Sequence, residues 1–335
     1  MANITLRLSG DNAKVGSTVS LEELGTLVGS QQLAWIDILR PGDEERTWLM
    51  KQNLHHLAVE DCFKEPVTKA YVYENHRFVV VRARDADSDL DTEFMCAFVT
   101  ENRLITVRHA EMPAMRNFAK RFGSRKVQKR TNLGPEYLLY EMLDSIADDW
   151  YRILSGYSQR LDLLEDRVFD PNKLYPNLLQ DLHELKQDMR EISKSVTPLT
   201  DVVKNILRPD AEFTSEGCMV YWHDVQDVIS NLKENIANYN SGAASTRDTY
   251  LSQSTMRLAE SQKQTNDVMR TLTIIATLML PITAIASIFG MNIEAFGSGS
   301  GPVNLGGVVL IMGLTSIAII GFFRSKGWIG GGGSL

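Results

Sequence analysis

Cysteine is scarce in this chain of 335 residues. The three cysteines, Cys62, Cys96 and Cys218, lie far apart and never approach Cys-x-x-Cys spacing. This pattern excludes a disulfide framework and a cysteine-based metal knuckle. It fits a reducing compartment, where disulfide bonds are rare.

The chain also lacks an excess of basic charge. It contains 35 Lys and Arg against 42 Asp and Glu, and after residue 270 the only charged residues are Glu294, Arg324 and Lys326. Residues 1–270 therefore carry a net charge of −8. Binding of nucleic acid needs a basic face for the phosphates, so we expect no nucleic-acid partner. An acidic segment of this length can bury a core, in more than one part.

Charge is absent altogether from two long stretches near the C-terminus. Residues 271–293 and 295–323 contain no charged side chain, over 23 and 29 positions. A helix needs about 20 apolar residues to cross a bilayer, so each stretch can span it once. The glycine-rich linker between them is too short for a domain. The sequence therefore predicts a helical hairpin across a lipid bilayer.

Basic residues flank this hairpin on one side only. Arg257, Lys263 and Arg270 precede the first span, Arg324 and Lys326 follow the second, and the connecting loop has neither Lys nor Arg. The positive-inside rule therefore places both termini in the cytoplasm. Because residues 1–10 lack a basic-then-apolar signal segment, we expect the large N-terminal part to stay there. The expected location is the cell inner membrane, with two spans.

The first 110 residues alternate short strand and helix patterns. Helix patterns lie at Leu21–Leu27 and Asp43–Leu49, and the apolar run from Phe78 to Val81 predicts a strand buried on both faces. The segment is typical of a small α/β domain with a mixed sheet. The predicted strands, rich in Val, Ile, Phe and Thr, are Ile4–Leu8, Ala34–Leu39, Arg77–Ala83, Phe94–Thr100 and Leu104–Val107.

Helical patterns replace the strands from about residue 111. One helix is predicted from Pro135 to Asp170 and a second from about Asn177 to Leu207. No proline occurs from Met219 to Leu280, so the longest helix is expected from about residue 221 to 290, roughly 105 Å at 1.5 Å per residue. Such a helix starts as a stalk and continues into the membrane, and it needs packed neighbours.

These patterns together predict an α+β protein in six segments. They are a cytoplasmic α/β domain at 1–110, a helical stalk at 111–270, a first transmembrane helix at 271–290, an external loop at 291–302, a second transmembrane helix at 303–323 and a cytoplasmic tail at 324–335.

The first span carries small and mildly polar residues on one face. The opposite faces carry isoleucine and leucine, which suit lipid or packed helices. Two interpretations fit the stripe: the lining of a pore, or an ordinary helix–helix interface of small residues. Counted back from Asn292 at spacings of three, four and five, the stripe consists of Ser287, Thr283, Leu280, Ala276, Thr273 and Met269.

The C-terminal hairpin resembles that of a known family. The run from Thr273 to Thr283, followed by Phe289-Gly290-Met291-Asn292, is similar to the first membrane helix and signature of the CorA family of divalent metal-ion transporters. The order of α/β domain, long helices and two terminal spans is also similar. This resemblance implies a homopentameric funnel whose first spans line a central pore. It implies passive transport of hydrated Mg²⁺, with Co²⁺ or Ni²⁺ as further ions, and neither enzymatic activity nor a catalytic cofactor.

Within the resemblance, the tripeptide Gly290-Met291-Asn292 forms the selectivity filter. Mg²⁺ gives up its water reluctantly, so a pore that passes it quickly should bind the hydrated ion. Five Asn292 amide oxygens would accept hydrogen bonds from those waters without a fixed charge that traps the ion. Thr283 would add a second polar ring, and Leu280 would be a bulky constriction; Met269 would be another.

Two positions depart from the family pattern. Glu294 is the only charge in the entry loop, where many relatives carry more acidic residues, and Ser287 stands where a glycine is usual. The weakly charged loop keeps open a second hypothesis, a Zn²⁺ transporter of the ZntB type with proton coupling. A third hypothesis is a non-conducting membrane scaffold that senses metal through its acidic domain.

Aspartates alternate between two predicted strands at Asp85, Asp87 and Asp89. The run begins like a calcium-binding loop, but Leu90 stands where that loop requires glycine. A solvated acidic hairpin and a cytosolic metal-sensing site both fit the pattern. For a sensing site, the resemblance implies a metal ion that bridges subunits, with Asp227 on the stalk as a partner ligand.

Overall fold

The computed structural model describes residues 3–9, 17–27, 33–170, 173, 175–208, 215–290 and 305–329. The chain divides into two compact units, Met1–Thr249 and Tyr250–Leu335. The first unit contains a mixed sheet with helices on it, and the second consists mainly of apolar helix. This arrangement confirms the predicted α+β class, with an N-terminal α/β domain, long helices and two C-terminal apolar helices.

Seven strands form one sheet within the described residues, in the order β2-β1-β3-β7-β6-β5-β4. The central pair β3 and β7 is parallel, and the other pairs are antiparallel, so the sheet is mixed as predicted. The strands are β1 (Asn3–Leu8), β2 (Ser17–Thr18), β3 (Ala34–Leu39), β4 (Lys69–Tyr73), β5 (His76–Arg84), β6 (Thr92–Val99) and β7 (Arg103–Arg108).

The five predicted strands are confirmed to within two residues at each end, but β2 and β4 were not predicted. Strand β2 has only two residues, too few for a periodic signal. Strand β4 is an edge strand that pairs only with β5 in the sheet order, and Tyr71 and Val72 on it are exposed. An edge strand with little burial lacks the alternation of apolar and polar residues that reveals a strand.

Helices cover both faces of the sheet. On one face, α1 (Leu21–Leu27), α2 (Asp43–Met50) and α3 (His56–Asp61) share a core with Phe78 and Val80 of β5. On the other face, α4 (Pro113–Phe122) and the two long helices α6 (Pro135–Phe169) and α7 (Leu178–Ile206) contact β5. Phe78, Val79, Val80 and Val81 are therefore fully buried, which confirms the strand predicted to be buried on both faces.

Five α-helices follow α4 within the described residues, and the last two contain the apolar segments near the C-terminus. The predicted helical bounds are confirmed to within about two residues for the three longest. The helices are α5 (Arg125–Gln128), α6 (Pro135–Phe169), α7 (Leu178–Ile206), α8 (Met219–Gly290) and α9 (Leu305–Ser325).

A buried carboxylate ties the sheet to the start of α6 and α8. Glu136 accepts hydrogen bonds from the indole Nε1 of Trp222 at 2.7 Å and from the backbone nitrogen of Ser215 at 2.8 Å. The guanidinium of Arg77, on β5, lies 3.8 Å from the same carboxylate. Arg77 is 1% exposed, so the positive charge needs this partner inside the protein.

Replacing Glu136 with alanine should strongly destabilise the first unit. The change removes one partner of a buried ion pair, which typically costs about 3–5 kcal/mol of unfolding free energy. Denaturant unfolding of the full chain in detergent, followed by tryptophan fluorescence, measures the loss. The control Glu191→Ala breaks an exposed pair with Lys194 and should cost less than about 1 kcal/mol. Equal effects of the two substitutions would contradict this role for Glu136.

Histidine 76 makes the stability of this unit depend on pH. Its ring is 1% exposed and lies between Tyr73 and Phe98, with ring centroids 5.0 and 5.7 Å away. Burial, together with the nearby His55, lowers the pKa of His76 from 6.5 to about 4. Between these values the unfolded chain binds a proton that the folded chain does not bind, so stability falls as the pH falls.

The melting temperature should therefore fall steadily from pH 6.5 towards pH 4, and His76→Phe should flatten this dependence. Thermal unfolding at a series of pH values measures it. The control His183→Phe changes an exposed histidine of α7 and should leave the slope as in the wild type. A slope that persists unchanged in His76→Phe would assign the pH dependence to other groups.

Candidate ion-conduction site

Two helices among the described residues are long and apolar enough to cross a membrane. The C-terminal part of α8 and the helix α9 each contain an 18-residue window with a mean hydropathy of 2.2. Both windows are almost free of burial by other residues of the chain. They coincide with the two spans predicted from the absence of charge.

The predicted pore stripe of α8 is open along its whole length. All six of its residues are exposed, and Leu280 reaches 72% exposure. Within the apolar span, the chain partly covers residues on the side of the helix away from the stripe, namely Ile274, Leu278, Pro281, Ile282 and Ile285. The chain thus covers one apolar side of α8 and leaves the stripe open, together with flanking apolar residues such as Ile275 and Met279.

Threonine hydroxyls on this stripe donate to their own helix. Thr273 Oγ1 donates to the backbone oxygen of Met269 at 2.7 Å, and Thr283 Oγ1 donates to that of Met279 at 2.8 Å. This back-bonding is common for threonine in helices and uses the hydroxyl hydrogen. The oxygen lone pairs remain available, so each threonine presents a hydrogen-bond acceptor on the stripe.

The C-terminal end of the stripe coincides with the end of α8. Gly290 is the last residue of the helix and is exposed, and Ser287 is exposed one turn earlier. The other predicted filter residues, Met291 and Asn292, and the predicted entry residue Glu294 lie outside the described residues. Their roles remain predictions.

The N-terminal end of the stripe adjoins a contact with the segment after α9, which the sequence did not indicate. Arg270, next to Met269, donates from Nη2 to the backbone oxygen of Gly327 at 2.5 Å. Its guanidinium also lies 5.9 Å from the ring centre of Trp328, which stacks on Phe323. This contact joins the start of the first span to the end of the second. The basic residue was predicted only as a marker of orientation.

The aspartates predicted to sense metal are placed as follows. Asp85 accepts a bond from the backbone nitrogen of Asp87, and Asp89 accepts one at 3.4 Å from Arg84, which is paired with a buried aspartate of α6. Asp227 is exposed on α8. No three Asp, Glu, His or Cys side chains of the described residues come together as a metal group. A sensing site between subunits remains a prediction.

The mixed α/β domain, the long helices and the pair of terminal apolar helices define a membrane protein with a large domain outside the bilayer. Residues 30–324 match the sequence profile of the family described as CorA-like Mg²⁺ transporter protein. The chain belongs to this family. It is therefore a membrane transporter for divalent cations, rather than an enzyme.

Individual relatives agree with this assignment. The chain is 26% identical to the cobalt/magnesium transport protein CorA of Thermotoga maritima, over 82% of this chain and 77% of the relative. It is 23% identical to the cobalt/magnesium transport protein CorA of Methanocaldococcus jannaschii, over 95% of this chain and 98% of the relative.

Solved structures share the fold. The complete CorA magnesium transporter of Methanocaldococcus jannaschii matches with a TM-score of 0.66 at 20% identity, over 98% of this chain and 99% of that one. The full-length CmaX protein matches with a TM-score of 0.69 at 17% identity, over 97% of each chain. The ZntB cytoplasmic domain of Vibrio parahaemolyticus matches with a TM-score of 0.59 at 13% identity, over 76% of this chain and all of that one.

The rate at which introduced cysteines react with a charged thiol reagent should distinguish the two sides of α8. The native cysteines are fully buried, so labelling of the wild type should be slow. A charged thiol reagent reacts with the thiolate in water, so Thr283→Cys in liposomes should react on the order of ten-fold faster than the control Ile282→Cys. The reaction rate of each single variant with a membrane-impermeant methanethiosulfonate measures this difference. Faster reaction at Ile282→Cys would contradict the assignment of the faces.

Proposed function

We propose that this protein is a homopentameric channel for passive entry of hydrated divalent cations, with Mg²⁺ as its main ion and Co²⁺ and Ni²⁺ as further ions. The observation that carries the proposal is the open polar stripe of α8, which lies opposite the side that the chain itself covers. Five such stripes around one axis enclose a pore lined by neutral oxygen acceptors. Family membership supports the same reading.

The stalk part of α8 supports assembly from several copies. Residues 258–269 are exposed at every position in the described chain, and Leu258 and Val268 reach 66% and 67% exposure. Most of the stability of a helix in water comes from packing against neighbours. Exposed large apolar side chains on such a helix favour contact with another protein surface. In the proposed pentamer, the α8 helices of neighbouring subunits supply that contact.

Passage depends on the hydration shell of the ion. A pore for Mg²⁺ works fastest when the ion keeps its water, because dehydration of this small cation is costly. In the proposed filter, the Asn292 amide oxygens accept hydrogen bonds from that water, with Gly290 and Met291 shaping the entrance. Deeper in the proposed pore, beyond Ser287, Thr283 supplies a further acceptor ring, and its hydroxyl hydrogen is already used within its own helix. Neutral oxygens select the hydrated ion without holding it tightly.

The proposed pore narrows at bulky apolar residues. Leu280 and Met269 extend from the stripe at either end of a segment with the small side chains of Ala276 and Thr273. A ring of five leucines or five methionines excludes water when the helices approach, which closes a pore by dewetting. Ser287 lies one turn inside the filter and adds a further hydroxyl. Met269 adjoins Arg270, so the contact with the C-terminal segment lies beside this gate.

The membrane potential is sufficient to drive entry. With both termini in the cytoplasm and the 291–302 loop outside, a divalent cation moving inward through −100 mV gains about 4.6 kcal/mol. This is about three orders of magnitude in concentration at equilibrium, without coupling to ATP. Glu294 is the only fixed charge of the entry loop and attracts the cation locally. The location that follows is the inner membrane, with residues 1–270 and 324–335 on the cytoplasmic side.

Replacing Asn292 with alanine should lower Mg²⁺ entry into liposomes by at least about ten-fold or abolish selectivity. Each lost acceptor is worth about 1 kcal/mol, and the ring loses five of them. Ion-specific dyes measure Mg²⁺ and Zn²⁺ entry under an imposed potential, with and without a pH gradient. The matched control is Asn304→Ala, which changes an asparagine outside the tripeptide and should leave entry unchanged.

The other outcomes point to the other hypotheses. Zn²⁺ uptake that a proton gradient accelerates would assign the protein to transport of the ZntB type. No entry of either ion, in protein shown to be pentameric, would contradict the channel and favour the non-conducting scaffold.

A further inference from the structure

A cavity of about 320 Å³ lies on one face of the sheet, far along the chain from the membrane helices. It is formed over β1, β3 and β7 and is closed at its side by α4. Its volume is at the small end of the range for small-molecule sites, about 300–1,000 Å³. Charged and polar side chains line it, among them Thr5, Arg7, Asp37, Arg108 and Arg116.

Arg7 differs from the other charged side chains of the cavity because one of its buried N–H groups has no hydrogen-bond acceptor among the described residues. Its guanidinium lies 4.5 Å from the ring centre of Trp35, which holds it in place by a cation–π contact. Its Nε is buried and has no hydrogen-bond acceptor among the described residues. Partial burial also lowers the pKa of Arg7. A buried donor without an acceptor costs free energy, and an anion that pairs with the same guanidinium offsets part of that cost.

The carboxylates of the cavity are already paired. Asp37 accepts hydrogen bonds from Arg108 Nε and Nη2, at 3.2 and 2.9 Å, and from the hydroxyl of Thr106 at 2.7 Å. Burial lowers the pKa of Arg108, but Asp37 more than offsets this effect and raises it. Glu111 lies 3.3 Å from Arg108 and 3.7 Å from Arg116.

The remaining charge favours an anion. Three arginines stand against two carboxylates around the cavity, which leaves one positive charge. Because Asp37 directs both of its oxygens to Arg108 and Thr106, it offers little to a cation. Arg7, by contrast, presents a rigid fork of N–H donors, which matches two oxygens of a phosphate or carboxylate.

We propose that this cavity binds a small oxyanion with a phosphoryl group, either inorganic phosphate or a phosphomonoester, with Arg7 as its main ligand. Arg116 and the hydroxyl of Thr5 contribute from the wall of the cavity. Phosphate fits better than a larger nucleotide because of the modest volume and the single uncompensated charge. The site belongs to the α/β domain and is independent of the proposed ion pathway.

Isothermal titration of the full chain in detergent tests this proposal, with inorganic phosphate as the probe in metal-free buffer. Phosphate should bind to the wild type, and Arg7→Met should bind it at least about ten-fold more weakly, since charge-assisted hydrogen bonds to Arg7 are lost. The matched control is Arg125→Met, which changes an exposed arginine of α5 outside the cavity and should bind phosphate as the wild type does. A parallel titration with glycerol phosphate distinguishes free phosphate from a phosphomonoester.

A second variant keeps the proposal testable if Arg7→Met fails to fold. Arg7 packs on Trp35, whereas the side chain of Arg116 is 60% exposed and forms an ion pair with Glu111. Arg116→Met should therefore fold and still weaken phosphate binding by about three-fold or more. No binding to the wild type at millimolar phosphate would overturn the proposal. Wild-type affinity in both arginine variants would overturn it too. Metal-free buffer keeps this result separate from the success or failure of ion transport.

Discussion

The hydration of the divalent cation is the constraint on which the proposed function depends. A small doubly charged ion cannot enter an apolar bilayer bare, and it exchanges its water slowly. A pathway must therefore supply neutral oxygen acceptors at a width that admits the hydrated ion, inside a helix that otherwise satisfies its own backbone. In the proposed pore, the stripe on α8 supplies such acceptors, because its threonines bond back to the helix while their oxygens stay open.

One continuous helix, α8, contains both the polar stalk part and the apolar part that can cross a membrane. Helix α8 runs from Met219 to Gly290, and its sides change character along its length. Near its start, Trp222 and Val225 are buried in the first unit, whereas residues 258–269 are exposed on every side. Further on, one apolar side is partly covered and the polar side is open. The proposed pentamer supplies neighbours for the exposed part of the helix.

The sequence predicted the elements whose signal is local. Absence of charge located both apolar helices, absence of proline predicted the length of α8, and the run from Phe78 to Val81 predicted a buried strand. Elements without a local signal were missed: the edge strand β4 is exposed, and β2 has two residues. The signature tripeptide suggested the family, which the profile match over residues 30–324 then showed.

Contacts between distant positions could not be predicted from spacing alone. Glu136 meets Trp222 across 86 positions of chain, and Arg270 meets Gly327 across 57. The cavity beside Arg7 likewise depends on the pairing of β1, β3 and β7, which brings Arg7, Asp37 and Arg108 together, and on the packing of α4 beside them. In each case the residue types were visible, but their partners follow only from the tertiary fold. The order of charges along the chain carried no such information.

The most direct test of the central claim is the reversal potential of currents through the purified protein in planar bilayers. With Mg²⁺ as the only permeant cation, a channel for a doubly charged ion should shift its reversal potential by about 30 mV for each ten-fold change in the Mg²⁺ gradient. A reversal potential that ignores the Mg²⁺ gradient and follows protons or the anion would contradict the account.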